Sequence, residues 1–189
     1  TYGNSTFMTV GDSGTILTSS DGTTWTSVNS ITHTYDNGTT DNISSNDVTY
    51  GNGTFVVVSP NGLILTSTDV TSSWTKRTSG TTNDLNGITY GNSTFMTVGD
   101  DGTILSSSDG TTWTSVNRIT HSYDNGTTDN ISSNDVTYGN GTFVVVSPNG
   151  LILTSTDVTS SWTKRTSGTT NDLNGVTYGN STYVSVGNS

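Results

Sequence analysis

The chain has 189 residues, a net charge of −10, no Cys, and five Lys and Arg against fifteen Asp. That balance excludes the basic surface needed to hold a nucleic-acid backbone or an anionic membrane. No apolar run approaches the roughly 20 residues of a membrane span. Ala, Glu and Gln are absent, while Thr (42), Ser (29), Gly (22) and Asn (20) dominate. The best helix formers are therefore missing and strand and turn formers remain, so the expected class is all-β. Apolar residues make up only 28%, but they cluster in strand-length runs, which points to a thin core built from strand interiors rather than to disorder. The absence of Cys says only that no disulfide holds the fold.

Read from the N-terminus, the chain repeats itself. Residues 1–88 and 89–176 align without a gap and differ at five positions: Ser13/Asp101, Thr18/Ser106, Ser30/Arg118, Thr34/Ser122 and Ile88/Val176. A third copy begins at Thr177. Each long unit is itself two related halves. The run from Thr1 to Val10 matches that from Thr49 to Val58, Gly14-Thr-Ile-Leu-Thr-Ser19 matches Gly62-Leu-Ile-Leu-Thr-Ser67, and Trp25 matches Trp74. The half-unit starts fall at 1, 49, 89, 137 and 177, and a fixed period of this length marks a repeat architecture. Because the chain opens inside a repeat, we expect a segment of a longer polypeptide.

In the second half-unit the predicted strands are Asp47–Tyr50, Thr54–Ser59, Leu63–Ser67 and Trp74–Thr78. Asn52-Gly53 and Pro60-Asn61-Gly62 separate them, residues that accept the positive φ of tight hairpins. The second and third strands are continuous apolar runs, as expected of strands covered on both faces. A four-stranded meander of about 40–45 residues buried by its neighbours is a propeller blade. The expected units are residues 1–48 (long loop 30–47), 49–88, 89–136 (long loop 118–135), 137–176, and the start of a fifth blade at 177–189.

Between the third and fourth strands stands Ser67-Thr-Asp69-Val-Thr-Ser-Ser-Trp74, and in the odd half-units the shorter Ser19-Ser-Asp21-Gly-Thr-Thr-Trp25. Both recur, at Ser155, Asp157 and Trp162 and at Ser107, Asp109 and Trp113. This resembles the Asp-box, Ser-x-Asp-x-Gly-x-Thr-Trp, of the bacterial neuraminidase repeats in sialidase-type propellers, with Thr71 where that motif has Gly. The resemblance implies that Asp21, Asp69, Asp109 and Asp157 close turns, and that Trp25, Trp74, Trp113 and Trp162 plug gaps between blades. A short carboxylate can accept backbone N–H bonds and close its own hairpin, and a Trp is a large apolar plug. Sialidases of this kind bind a substrate carboxylate with three arginines, and use a Tyr activated by a Glu with an Asp as acid/base. This chain has no Glu, and of its three arginines Arg77 and Arg165 are repeat copies of each other.

No catalytic residue, cofactor site or metal site is therefore expected. Glycoside hydrolysis needs two acids in different environments, whereas repeats place each Asp in copies of one. His33 and His121 are repeat copies in the long loops and read as solvated. Asp36, Asn37, Asp41 and Asp47, with their copies Asp124, Asn125 and Asp129, are hard oxygen ligands suited to calcium, but their spacing is neither that of an EF-hand nor that of a nonapeptide calcium repeat, and a polar turn-rich loop is the expectation. Nine Asn-x-Ser/Thr sequons occur, at Asn4, Asn37, Asn42, Asn52, Asn92, Asn125, Asn130, Asn140 and Asn180. Composition alone predicts about 7.5, so the count does not establish glycosylation, though these sites fall at predicted loop tips. Tyr2, Tyr50, Tyr90 and Tyr138 lie at strand ends and are expected in the core, while Tyr35 and Tyr123 are the better placed to stack on a sugar.

Near-identical copies suit a polymer in which each unit fits its neighbours. The expectation is an all-β, propeller-like array, either open or part of a larger ring or fibre. It is expected to be non-enzymatic and extracellular, and to self-associate through its blades into a fibre, sheath or adhesin stalk. The alternative is a multivalent glycan-binding propeller. Attached or bound glycans are compatible with either; nucleic acid and membrane insertion are not.

Overall fold

The computed structural model describes residues 1–28, 30–34, 38–71, 73–116, 118–122 and 128–189. Blade 1 is β1 (Tyr2–Gly3), β2 (Thr6–Val10), β3 (Ile16–Ser19) and β4 (Thr26–Ser27), followed by a small hairpin of β5 (Thr32–Thr34) and β6 (Thr40–Asn42). Blade 2 is β7 (Asp47–Gly51), β8 (Thr54–Val58), β9 (Ile64–Ser67) and β10 (Thr75–Arg77). Blade 3 is β11 (Leu85–Gly91), β12 (Thr94–Gly99), β13 (Ile104–Ser107) and β14 (Thr114–Ser115), again with a hairpin, β15 (Thr120–Ser122) and β16 (Thr128–Asn130). Blade 4 is β17 (Asp135–Gly139), β18 (Thr142–Val146), β19 (Ile152–Ser155) and β20 (Thr163–Arg165), and β21 (Leu173–Gly179) with β22 (Thr182–Gly187) starts a fifth. Each blade is an antiparallel meander in chain order, and no α-helix occurs among the described residues.

The register follows from the turns. Asn4 and Ser5, and likewise Asn52 and Gly53, take positive φ at consecutive positions, the backbone that suits the right-handed twist of paired strands. They pair Tyr2 with Phe7 and Tyr50 with Phe55. Asn61 and Gly62 form the next turn, also at positive φ. The first strands start ahead of the repeat boundaries, because Asp47 and Leu85 already lie in the ladder.

Both faces of each middle strand are apolar because each meets a different neighbour. In β8, Phe55 and Val57 pack with Met8, Ile16 and Ile31 of the first unit, while Val56 and Val58 pack with Leu85, Phe95 and Leu105 of blade 3. Blades 3 and 4 meet through Met96, Val98, Phe143 and Val145, and blade 4 meets the terminal hairpin through Val144, Val146, Leu173 and Val176. The core is therefore four thin layers, one per interface.

The insertions 30–47 and 118–135 are not the featureless polar loops expected of them. Each carries a two-stranded ladder, His33 opposite Asp41 and His121 opposite Asp129. Their isoleucines make the difference. Ile31, Ile43 and Ile119 are buried, and a backbone chain of Gly14 N–H to Ile43 O, Ile43 N–H to Ile31 O and Ile31 N–H to Gly14 O ties the first insertion to the β2–β3 turn.

Candidate functional site

A meander alternates its turns between two ends. The β1–β2 tips and the Asp boxes lie on one face of the arc; the β2–β3 turns and the links between blades lie on the other.

On the first face the boxes act as turn locks. The Asp109 carboxylate accepts the backbone N–H groups of Thr111 and Thr112 at 2.7 and 2.8 Å and the Ser107 hydroxyl at 2.9 Å, and Ser107 Oγ accepts Gly110 N–H at 2.9 Å. Asp21 repeats this arrangement with Thr23, Thr24 and Ser19. Asp157 accepts Thr159 and Ser160 N–H, and Asp69 accepts Thr71 N–H. Bonds from backbone amides above all hold the Asp21 and Asp109 carboxyls well below the usual carboxylate range, while the Ser160 and Thr159 hydroxyls lead in taking Asp157 to about 2. In the short boxes the Trp donates to the Gly carbonyl, Trp113 Nε1 to Gly110 O at 3.0 Å. In the longer box of blade 4 that donor, Trp162 Nε1, is buried without a partner.

Trp74, Trp113 and Trp162 lean on the preceding blade. Trp113 packs with Val56 and Val58 and is 9% exposed, whereas Trp25, with no described blade before it, is 42% exposed. Trp113→Ala is therefore expected to cost about 3–5 kcal/mol and Trp25→Ala under about 1 kcal/mol, read as the difference in denaturant midpoint between the two variants.

The axial strands hold a second repeated device. Tyr50 lies on Gly3, Tyr90 on Gly51, Tyr138 on Gly91 and Tyr178 on Gly139; a Cβ at any of these glycines would come within 2.0–2.1 Å of the ring. Tyr50, Tyr90 and Tyr138 thus pack between blades, as expected of them, and Tyr2 is exposed. Beside them, Asp47 accepts Val48 N–H and reaches across to Ile88 N–H at 2.8 Å, and Asp135 does the same with Val136 and Val176. Blade 3 has Gly87 where a carboxylate would otherwise stand; a Cβ there would lie 2.7 Å from Asp135 Cα. Burial pushes both acids up, and the Asp135 charge adds to the effect on Asp47, which reaches about 7. Asp47, a calcium candidate by sequence, is thus an interblade clamp. Among the described residues no cluster of three metal-ligating side chains occurs.

On the second face runs a groove of about 950 Å³ between blades 2 and 3, with Asn42, Ile43 and Ser44 of the first insertion along its wall. Lys76, Arg77 and Arg118 line it together with Asn61, Asn83 and Ser79. A second groove of about 830 Å³ repeats it on blade 4, with Lys164 and Arg165. The arginines do not converge on one point, because Arg77 and Arg118 lie in the first groove and Arg165 in the second. Two of the five differences between the long repeats meet here. Asp101 and Arg118, where the first copy has Ser13 and Ser30, form an ion pair, and Arg118 Nη1 also donates to Asp101 O at 2.9 Å. Asn130 Nδ2 donates to Asp101 Oδ1 at 2.8 Å, and these bonds hold the Asp101 carboxyl below its ordinary range.

Of the sequons, Asn4, Asn52, Asn92, Asn140 and Asn180 are exposed at the β1–β2-type tips, and Asn42 and Asn130 are exposed on the insertion hairpins. Asn37 and Asn125, together with Tyr35, Tyr123, Asp36 and Asp124, lie outside the described residues, as do the side chains of His33 and His121.

No protein-family profile and no curated protein matches the chain. Solved structures do. YCF48 from Cyanidioschyzon merolae superposes with a TM-score of 0.62 at 15% identity, over 96% of this chain and 62% of that one. The computationally designed Ika8 protein gives 0.64 at 13%, over 98% and 53%. A Cellvibrio cellulosa α-L-arabinanase gives 0.55 at 12%, over 97% and 82%. The fold is a β-propeller arc. Its sheets do not close into a ring, and the chain spans 62%, 55% and 53% of the first three structures it resembles. At such identities the likeness carries the fold alone.

Proposed function

We propose that this chain is a structural repeat protein of the Asp-box type, a stretch of extracellular fibre, sheath or stalk that assembles end to end and is non-enzymatic. The observation that carries this reading is that one interface recurs from blade to blade: Tyr50 lies on Gly3, Tyr90 on Gly51, Tyr138 on Gly91 and Tyr178 on Gly139, and Asp47 and Asp135 each reach an amide of the following blade. A contact that recurs without closing builds a filament.

The reading is tested by sedimentation of the 189-residue chain over a range of concentrations, with electron microscopy of the concentrated sample. Concentration-dependent linear oligomers are expected. Gly179→Ala has room to fold but puts a methyl where a Tyr ring would sit, and should weaken association about tenfold or more. A strict monomer at every concentration counts against the proposal.

A second reading, a multivalent glycan-binding array, draws on the two copies of one hydroxyl-rich groove. Repetition would let weak sites act together on a polymer.

A further inference from the structure

We propose that the groove between blades 2 and 3, with its copy on blade 4, binds acidic saccharides bearing carboxylate or sulfate groups. The position of the site rests on charge and shape; the ligand class rests on the glycan-binding reading and narrows it.

The charge distribution is the first argument. All five Lys and Arg of the chain line these two grooves: Lys76, Arg77 and Arg118 in one, Lys164 and Arg165 in the other. Among the described Asp residues Asp101 alone lines either groove, so the described lining of each carries two cations in excess on a chain of −10. The Lys-Arg pair is placed once and copied by the repeat, and Arg118, which has no copy, falls on the same groove. A lined concavity of one sign focuses its field and raises the local concentration of the opposite sign.

Preorganisation is the second. Arg77 Nε donates to Thr66 Oγ1 at 2.8 Å, and Arg165 Nε donates to Thr154 Oγ1 at 2.8 Å. The same bond in both copies ties Arg77 to β9 and Arg165 to β19, and a planar fork so held suits a carboxylate or sulfate. Arg118 enters from the next blade, anchored by Asp101, and belongs only to the blade 2–3 groove.

The rest of the lining decides the ligand class. Beyond Ile43, Pro60 and Leu63 the walls are Ser, Thr, Asn, Gly and backbone. These are hydrogen-bonding partners for sugar hydroxyls, and they lack the apolar pockets that anchor peptide side chains. The groove is an open trough, and its recurrence along the chain suits a polymer that presents an acidic group at intervals.

Titration calorimetry with a hexagalacturonate, a sulfated hexasaccharide, a neutral galactan hexasaccharide and a hexa-aspartate peptide tests the proposal. At least one acidic saccharide should bind, the neutral one at least tenfold more weakly, with affinity falling as salt screens the groove. The double variant K76Q/R77Q should lose about tenfold at the blade 2–3 groove. D101S/R118S, which installs the residues of the first copy, should lose a few-fold, with thermal midpoints confirming that both variants fold. Equal binding of neutral and acidic saccharides keeps the glycan reading and overturns this one. Tighter binding of the aspartate peptide, an affinity and a stoichiometry both unchanged in K76Q/R77Q, or no binding of any acidic saccharide also overturns it.

Discussion

Gly91→Ala should lower the thermal midpoint by about 5–10 °C, while Gly179→Ala at the matching position of the next long repeat should leave it within about 1–2 °C. Neither residue has positive φ, so the backbone accepts alanine at both and the contrast isolates packing. At Gly91 the added methyl would lie 2.1 Å from Tyr138 Cγ and 2.5 Å from its Cβ. Those atoms sit at the root of the side chain, and the ring is held by Phe143 at a centroid distance of 4.7 Å. It cannot swing away, so β11 and β17 must part. Overpacking of this kind costs about 1–3 kcal/mol. At Gly179 nothing lies within 4 Å, and the loss of unfolded-state freedom even favours alanine slightly. Melting both variants at a concentration low enough to prevent association is the measurement. Equal losses at the two sites would mean that the Tyr-on-glycine stack does not hold the blades together.

Stability should pass through a maximum near about pH 4–5, a consequence of two sets of carboxyls with opposite shifts. Asp47 is raised to about 7 by burial and by the charge of Asp135. A raised acid favours folding when protonated. Its contribution is complete below the unfolded value of 3.8 and is lost as pH climbs through about 7. Asp135 is shifted in the same direction. The box carboxyls Asp21, Asp109 and Asp157 are lowered, so their contribution is present above 3.8 and is lost as pH falls below it. The relief of net charge on acidification adds to the first arm. The Thr1 ammonium, which desolvation pushes down, acts in the opposite sense. A rise in midpoint of about 3–6 °C from pH 8 to pH 5 is expected, followed by a fall toward pH 2. Asp47→Asn should flatten the upper arm and leave the acid arm intact. A profile that only declines from pH 8 downward would show that Asp47 does not carry a raised pKa.

The features legible in the sequence were those set by local chemistry. Asn52-Gly53 and Pro60-Asn61-Gly62 announced their turns because positive φ is a property of two or three residues. The Val56-Val57-Val58 run announced a strand covered on both faces, and blades 1 and 3 cover it. The locking role of Asp21 and Asp109 followed from a carboxylate within reach of amides two and three residues on. The hairpin in the insertion is not legible in the sequence because its polar residues outnumber Ile31 and Ile43, and nothing local says that two isoleucines a dozen residues apart meet under a neighbouring turn. The signals available for the groove were the copied pairs Lys76-Arg77 and Lys164-Arg165 and the Ser13/Asp101 and Ser30/Arg118 differences, which together introduce opposite charges.

What the sequence alone determined is the unit, its period, its strands and its turn locks, since each depends on neighbours along the chain. The tertiary structure decided how units meet: which glycine receives which tyrosine, that Asp47 bonds an amide 41 residues away, and that all the cations gather in two grooves. Those relations depend on the angle between successive blades, a sum of many weak side-chain contacts across an interface that no short stretch of sequence contains.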